Sequence, residues 1–252
     1  TRHRRRAHEG PAVEHDLVLR TPEVTLVPLG YQHAAALLDL VDADLWRGLS
    51  LPFPRSVPDM ELLVLRASES AGTVAFTVLD AVTGAVRGST SLQEVDRDHR
   101  RAVVGASWYG RAWWGGPTNP ASKLALLTHC FETWGLHRVA FRVDPANTRS
   151  VRAVQRLGAV PEGVLRGHRT ASDGTPTDSL SFSILSHEWP EVRTRLLARL
   201  VGASGHPGAP CGAPVPGSAD RQAEVRGEGG REVEQLVLGD RRAGETAQPV
   251  HA

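Results

Sequence analysis

The chain of 252 residues is poor in cysteine, methionine and lysine, and it has no excess charge of either sign. Two cysteines, Cys130 and Cys211, are too few for a disulfide framework and favour a reducing compartment. No apolar run approaches the roughly 20 residues of a membrane span. The arginine-rich stretch from Arg2 to Arg6 is not followed by the apolar segment of a secretion signal. A cytoplasmic protein with no membrane partner is therefore expected. Lys and Arg number 29 against 28 Asp and Glu, so nothing global points to nucleic acid. Lys123 is the only lysine; arginine dominates, alongside much Ala, Gly and Val, which reads as GC-rich coding. No spacing of His, Cys or carboxylates suggests a metal, and no Gly-x-Ser-x-Gly element suggests a serine hydrolase.

What is present is ordered. Residues 1–20 read as a flexible basic arm, 21–201 as one domain, and 202–252 as a largely disordered Gly/Pro/Ala-rich tail with a short helix near Glu232 to Leu238. A strand is expected at Val24 to Leu29 and a helix around Gln32 to Leu40. A proline-punctuated apolar loop follows from Leu45 to Pro58, then a helix near Asp59 to Ser68. Hairpin patterns cover Val74 to Asp80, Ala85 to Glu94 and Arg100 to Trp108. Gly163 to Thr170 and Ser179 to Leu185 read as a further hairpin turning at Ser172-Asp173-Gly174, and a helix from His187 to Leu200 closes the domain.

The segment from Gly105 to Trp134 is the most informative. It predicts a strand, a glycine turn, then a helix with Asn119 as N-cap and Pro120 in its first turn. Leu124, Leu127, Phe131 and Trp134 recur on one helix face, and Gly135 stands where such a helix stops. A glycine loop entering a helix N-terminus presents unpaired N–H groups at the positive end of the dipole, which suits a phosphate. A strand at His137 to Val143 follows. Asn147 then caps a helix whose stripe is Val151, Val154 and Leu157 and whose stop is Gly158.

With Asn119-Pro-x-x-Lys-Leu124, His129-Cys-Phe-Glu132, Asn147-Thr-Arg-Ser150, Leu165-Arg-Gly-His168 and Glu188-Trp-Pro190, this order resembles the GNAT superfamily of acyl-CoA-dependent N-acetyltransferases. The likeness runs from about Thr21 to Leu200 and is strongest to the ribosomal-protein N-terminal acetyltransferase branch. It implies a mixed α/β fold, a twisted and mostly antiparallel sheet flanked by helices. It also implies acetyl-CoA as the acetyl donor and an amine acceptor, either a protein N-terminus or a small molecule. A homodimer is left open. The family's phosphate loop departs here in one respect, since Pro117 stands where a second glycine is usual and removes one N–H.

By that resemblance the pyrophosphate and pantetheine sites fall on Trp114, Gly115, Gly116, Thr118 and Asn119, on the backbone of Trp108 and Tyr109, and on Asn147. Ser150, one turn beyond Asn147, is the candidate proton donor to the departing thiolate. Glu94 and His168 are the candidate general bases. Cys130, inside an apolar helix, is not expected to form an acyl-enzyme. Two rival readings are a catalytically silent acyl-CoA sensor, suggested by Pro117, and an RNA-associated protein using Arg2 to Arg6 as a weak, salt-sensitive arm.

Overall fold

The structure is a computed structural model and describes residues 15–46, 49, 51–171 and 174–204. The Arg2 to Arg6 arm, Cys211, the turn residues Ser172 and Asp173, and the tail with its expected helix lie outside the described residues.

Eight strands form one sheet: β1 (Leu19–Arg20), β2 (Val24–Pro28), β3 (Val74–Asp80), β4 (Val86–Asp96), β5 (Arg101–Tyr109), β6 (Arg138–Val143), β7 (Val160–Thr170) and β8 (Pro176–Leu185). Their order is β1-β2-β3-β4-β5-β6-β8-β7, and every neighbouring pair is antiparallel except β5 with β6. Parallel neighbours need a crossover. Here it is α4 (Thr118–Thr128), prolonged by a π-helical turn at His129–Thr133 in which Trp134 N–H bonds back to the His129 carbonyl. The other helices are α1 (Ala34–Leu38), α2 (Ala43–Trp46), α3 (Val57–Glu69), α5 (Thr148–Leu157) and α6 (Trp189–Ser204).

Most strands and helices fall close to where their periodicity puts them, but two are not expected from it. β1 lies in the segment read as a flexible arm, where Leu17 and Leu19 pack against the core, and α2 runs into the segment read as a loop. β7 begins at Val160 rather than Gly163, and α3 begins at Val57 because Ser56 caps it through the Asp59 N–H. α4 also starts early. Pro117 is its N-cap, no side chain caps it, and Asn119 lies inside the first turn rather than at the cap. The expected cap at Asn119 is thus corrected: the restricted φ of Pro117 opens the helix, and the Thr118 hydroxyl is engaged by Arg87 Nη1 at 2.9 Å.

The expected single apolar face on α4 also understates its environment. Thr118 and every residue from Pro120 to Leu127 are buried, because the helix is enclosed between the sheet and α6. The main core gathers Phe76, Leu92 and Val104 from the sheet with Leu126 and Leu127 from α4 and Leu196 from α6. A smaller core of Ala34, Leu37, Leu45, Trp46 and Met60 meets Trp108. Replacing the fully buried Leu127 with Ala is expected to cost about 3–4 kcal/mol, read by urea unfolding, since neighbours on both sides hinder collapse of the cavity.

Candidate active site

The site is built where β5 and β6 part. Their parallel ladder ends at Val104 opposite Phe141, yet β5 continues to Tyr109 and β6 to Val143. The divergence begins at a bulge. Gly105 pairs with Ser91 and Trp108 with Ser89, so β5 carries one more residue than β4, and Ala106 takes a left-handed φ of 45°. Beyond the bulge the alternation is re-phased. Trp108 faces the smaller core, and Tyr109 faces α4.

At the far end of β5 a short 3-10 turn, Arg111–Trp113, leads through Gly115 (φ 76°) into α4. The first intrahelical bond runs from Ala121 N–H to the Pro117 carbonyl. No side chain caps the helix, which leaves the backbone donors of its first turn without a side-chain acceptor. Beneath, the buried Arg87 guanidinium holds Thr118, pairs with Asp80 and stacks on Trp113 at 4.2 Å. The Thr83 N–H and Arg87 keep the Asp80 carboxyl down at about 2.

Trp114 closes the mouth of the gap. Its indole N–H donates to the Tyr109 carbonyl at 2.6 Å, and its ring lies 3.4 Å from the Arg149 guanidinium carbon and 5.0 Å from that of Arg111. Arg111 is tied to Asp42 and Asp44, with Nη2 at 2.8 Å from Asp42 and 2.9 Å from Asp44, so α2 is clamped to the loop. Arg149 stands in the first turn of α5. There Asn147 Oδ1 accepts the Ser150 N–H at 3.0 Å, while the Asn147 amide nitrogen has no partner among the described residues. Desolvation and the nearby Arg111 lower the pKa of Arg149, and both effects favour an anion beside it.

Residues 23–160 match the acetyltransferase (GNAT) domain family. The chain belongs to the GNAT acetyltransferases. A crystal structure from T. thermophilus assigned as an acetyltransferase is 35% identical, with a TM-score of 0.68 over 73% of this chain and 96% of that one. The structure of Mycobacterium smegmatis RimJ in complex with CoA-disulfide is 26% identical, with a TM-score of 0.63 over 74% and 94%. The provisionally named ribosomal N-acetyltransferase YdaF of Bacillus subtilis (strain 168) is 30% identical over 42% of this chain. The chain spans 63% and 57% of the length of the curated relatives it matches, YdaF being the second.

Within this GNAT domain the candidate residues fall into two groups. Trp108, Tyr109, Trp114, Gly115, Gly116, Thr118, Asn119, Asn147 and Ser150 surround the β5–β6 gap and the start of α4. Glu94 and His168 form the second group, close enough to each other to interact, with Glu94 reaching Arg142, the β6 residue just past the end of the parallel ladder. Glu94, at a second irregularity of β4 with φ 49°, is paired with Arg142 of β6. That guanidinium holds its carboxyl below the usual range, the reverse of what a general base requires. His168 Nδ1 is 3.0 Å from Ser179 Oγ. Cys130 is buried and its thiol is pushed up to about 12, so it is a packing residue. Among the described residues no three His, Cys, Asp or Glu side chains gather as a metal site, and no helix is long and apolar enough to cross a membrane.

Sequence reasoning missed Arg87, Arg111, Arg149, Asp42 and Asp44. Each acts through a partner far along the chain, and only the Asp42 cap of α2 carries a local signal.

Proposed function

We propose that the protein moves the acetyl group of acetyl-CoA to a primary amine by direct attack in a ternary complex. The observation that carries this reading is the β5–β6 gap opening beside an uncapped helix start and a half-used Asn147 amide. The backbone donors of Gly115, Gly116, Thr118 and Asn119 hold the pyrophosphate, with Arg149 alongside. The backbone of Trp108 and Tyr109 and the amide of Asn147 hold the pantetheine arm. Acetyl-CoA supplies the thioester, and the strand backbone freed by the bulge polarises its carbonyl. Ser150 stands in the first turn of α5 to give a proton to the leaving thiolate. Of the two candidate bases, His168 receives the amine proton, because Glu94 is committed to Arg142.

The relatives named for ribosomal proteins favour a protein N-terminus as acceptor, with a small amine as the alternative. A second reading, a silent acyl-CoA sensor, draws on the ion-paired Glu94. Calorimetric titration with acetyl-CoA, NAD and ATP separates the classes. Selective acetyl-CoA binding with thiol release on an amine supports the enzyme. Binding without release on any amine supports the sensor, and no binding at millimolar ligand sinks both. Asn147→Ala is expected to weaken acetyl-CoA binding about tenfold and to cost about 1 kcal/mol of stability through the lost cap. A folded variant of unchanged affinity would remove Asn147 from the site.

A further inference from the structure

The chain's only lysine is buried with 7% of its surface exposed, on the side of α4 that faces β5. Lys123 Nζ donates to Ser107 Oγ at 2.8 Å, its one hydrogen-bond partner among the described residues, and no carboxylate is paired with it. An apolar side chain of the same length would fill the space without removing an amine from water. The family reading assigns this residue no task, so the cost of burying it calls for a reason.

The reason lies in what Ser107 does. In unbroken alternation Ser107 would share a face with Val103 and Gly105, away from α4; the extra residue at Ala106 turns it onto α4 instead. There its hydroxyl meets Thr90 Oγ1 at 2.7 Å and the Gly105 carbonyl at 3.3 Å, in addition to Lys123. Ser91 Oγ donates to the same Gly105 carbonyl at 3.1 Å. The two ends of the bulge, Gly105 and Ser107, are thus tied together by side chains from β4 and α4. Lys123 is the member that joins them to the helix whose N-terminus faces the cofactor path. The same bulge starts the divergence of β5 from β6, so a shift there displaces the strand backbone on which the thioester would lie.

We infer that Lys123 is a positioning residue for acetyl transfer: through Ser107 it locks the β5 bulge to α4 and so sets the strand backbone in register with the phosphate-binding helix start. This rests on the acetyltransferase reading given above. The lock operates in either charge state, since a neutral amine and an ammonium both donate an N–H to Ser107.

The test uses the full chain with Lys123→Met, Lys123→Gln and Ser107→Ala. Thiol release is followed with acetyl-CoA and a short peptide bearing a free α-amino group. Lys123→Met and Ser107→Ala should lower kcat on the order of 10- to 100-fold, as expected when reacting groups are displaced by about 1 Å. Affinity for acetyl-CoA should change by less than about threefold. Lys123→Gln, which keeps a donor, should recover part of the loss, and Lys123→Met should melt no lower than the parent protein. Unchanged kcat in Lys123→Met or Ser107→Ala overturns the inference. So does a parallel fall of kcat and melting temperature in both Lys123 variants, which would mark a merely structural role. Amide exchange at Gly105 to Trp108 reads the bulge without turnover. It should accelerate on the order of tenfold in Lys123→Met and Ser107→Ala, and unchanged exchange overturns the lock. An inactive parent protein whose variants still show the accelerated exchange would instead count against the acetyltransferase reading alone.

Discussion

At pH 6, Lys123→Met is expected to raise the unfolding free energy by about 4 kcal/mol. Burial pushes the Lys123 amine down from 10.5 to about 7. A lysine whose pKa is lower in the folded protein binds fewer protons there than in the unfolded chain. Between pH 7 and 10.5 the stability of the parent protein therefore rises with pH, and below pH 7 the penalty is complete. The full penalty corresponds to about 5 kcal/mol, from which the lost bond to Ser107 subtracts about 1 kcal/mol. By pH 9 the protein has recovered more than half of it, so the advantage of the Met variant should shrink to about 1 kcal/mol. Urea unfolding of both proteins at pH 6 and pH 9 checks the sign and the slope. A Met variant less stable at pH 6, or a parent protein of flat stability across the range, would mean that the amine is not desolvated.

Gly88→Ala is expected to destabilise the protein by about 3–5 kcal/mol and to lower acetyl-CoA binding with it. Gly88 pairs with Tyr109 in the β4–β5 ladder and has a φ of 153°. A Cβ there would stand 2.1 Å from the Trp108 carbonyl oxygen and 2.8 Å from the Tyr109 Cα. Both contacts are backbone, so no side chain can swing aside to relieve them. Either β4 and β5 separate or the end of β5 shifts, and that end carries the Tyr109 carbonyl on which Trp114 is seated. Gly115→Ala is the informative control. Its φ is also positive, at 76°, but a Cβ there meets nothing within 4 Å, so strain without collision should cost about 1 kcal/mol. Equal losses for the two variants, measured by thermal unfolding, would show that the clash at Gly88 is relieved without displacing β5.

Much of the fold is legible in the chain because its signals are local. Asn147 accepts the Ser150 N–H, and Gly158 ends α5 with a φ of 95°, as an N-cap and a C-terminal glycine should. Val139, Phe141 and Val143 alternate into the core as a strand facing one way requires. The start of α4 is less legible. Asn119-Pro120 is a good local cap signal, but Pro117 and the pull of Arg87 on Thr118 decide the boundary two residues earlier. The π turn at His129–Thr133 has no sequence signal of its own, and it reconciles the long apolar stripe with a stop at Gly135.

The candidate site divides in the same way. Its glycines, Asn147 and Ser150 belong to motifs whose geometry is short-range, so spacing alone puts them at the starts of α4 and α5. Glu94 reads as a free carboxylate at a strand end because its partner, Arg142, lies 48 residues away on another strand. Lys123 reads as codon bias until α4 is seen enclosed, with its amine against Ser107.

Most of the order of strands and helices, the glycine turn into α4 and the family to which the chain belongs follow from the residues in their linear order; β1 and α2, both short, do not. Propensity, capping and hydrophobic period act over a few residues and leave marks that can be read. Which charges are neutralised, which amine is desolvated and where β5 leaves β6 emerge only once the chain is folded. Those depend on burial and on through-space distance between residues far apart in the chain, and neither quantity is written in local order.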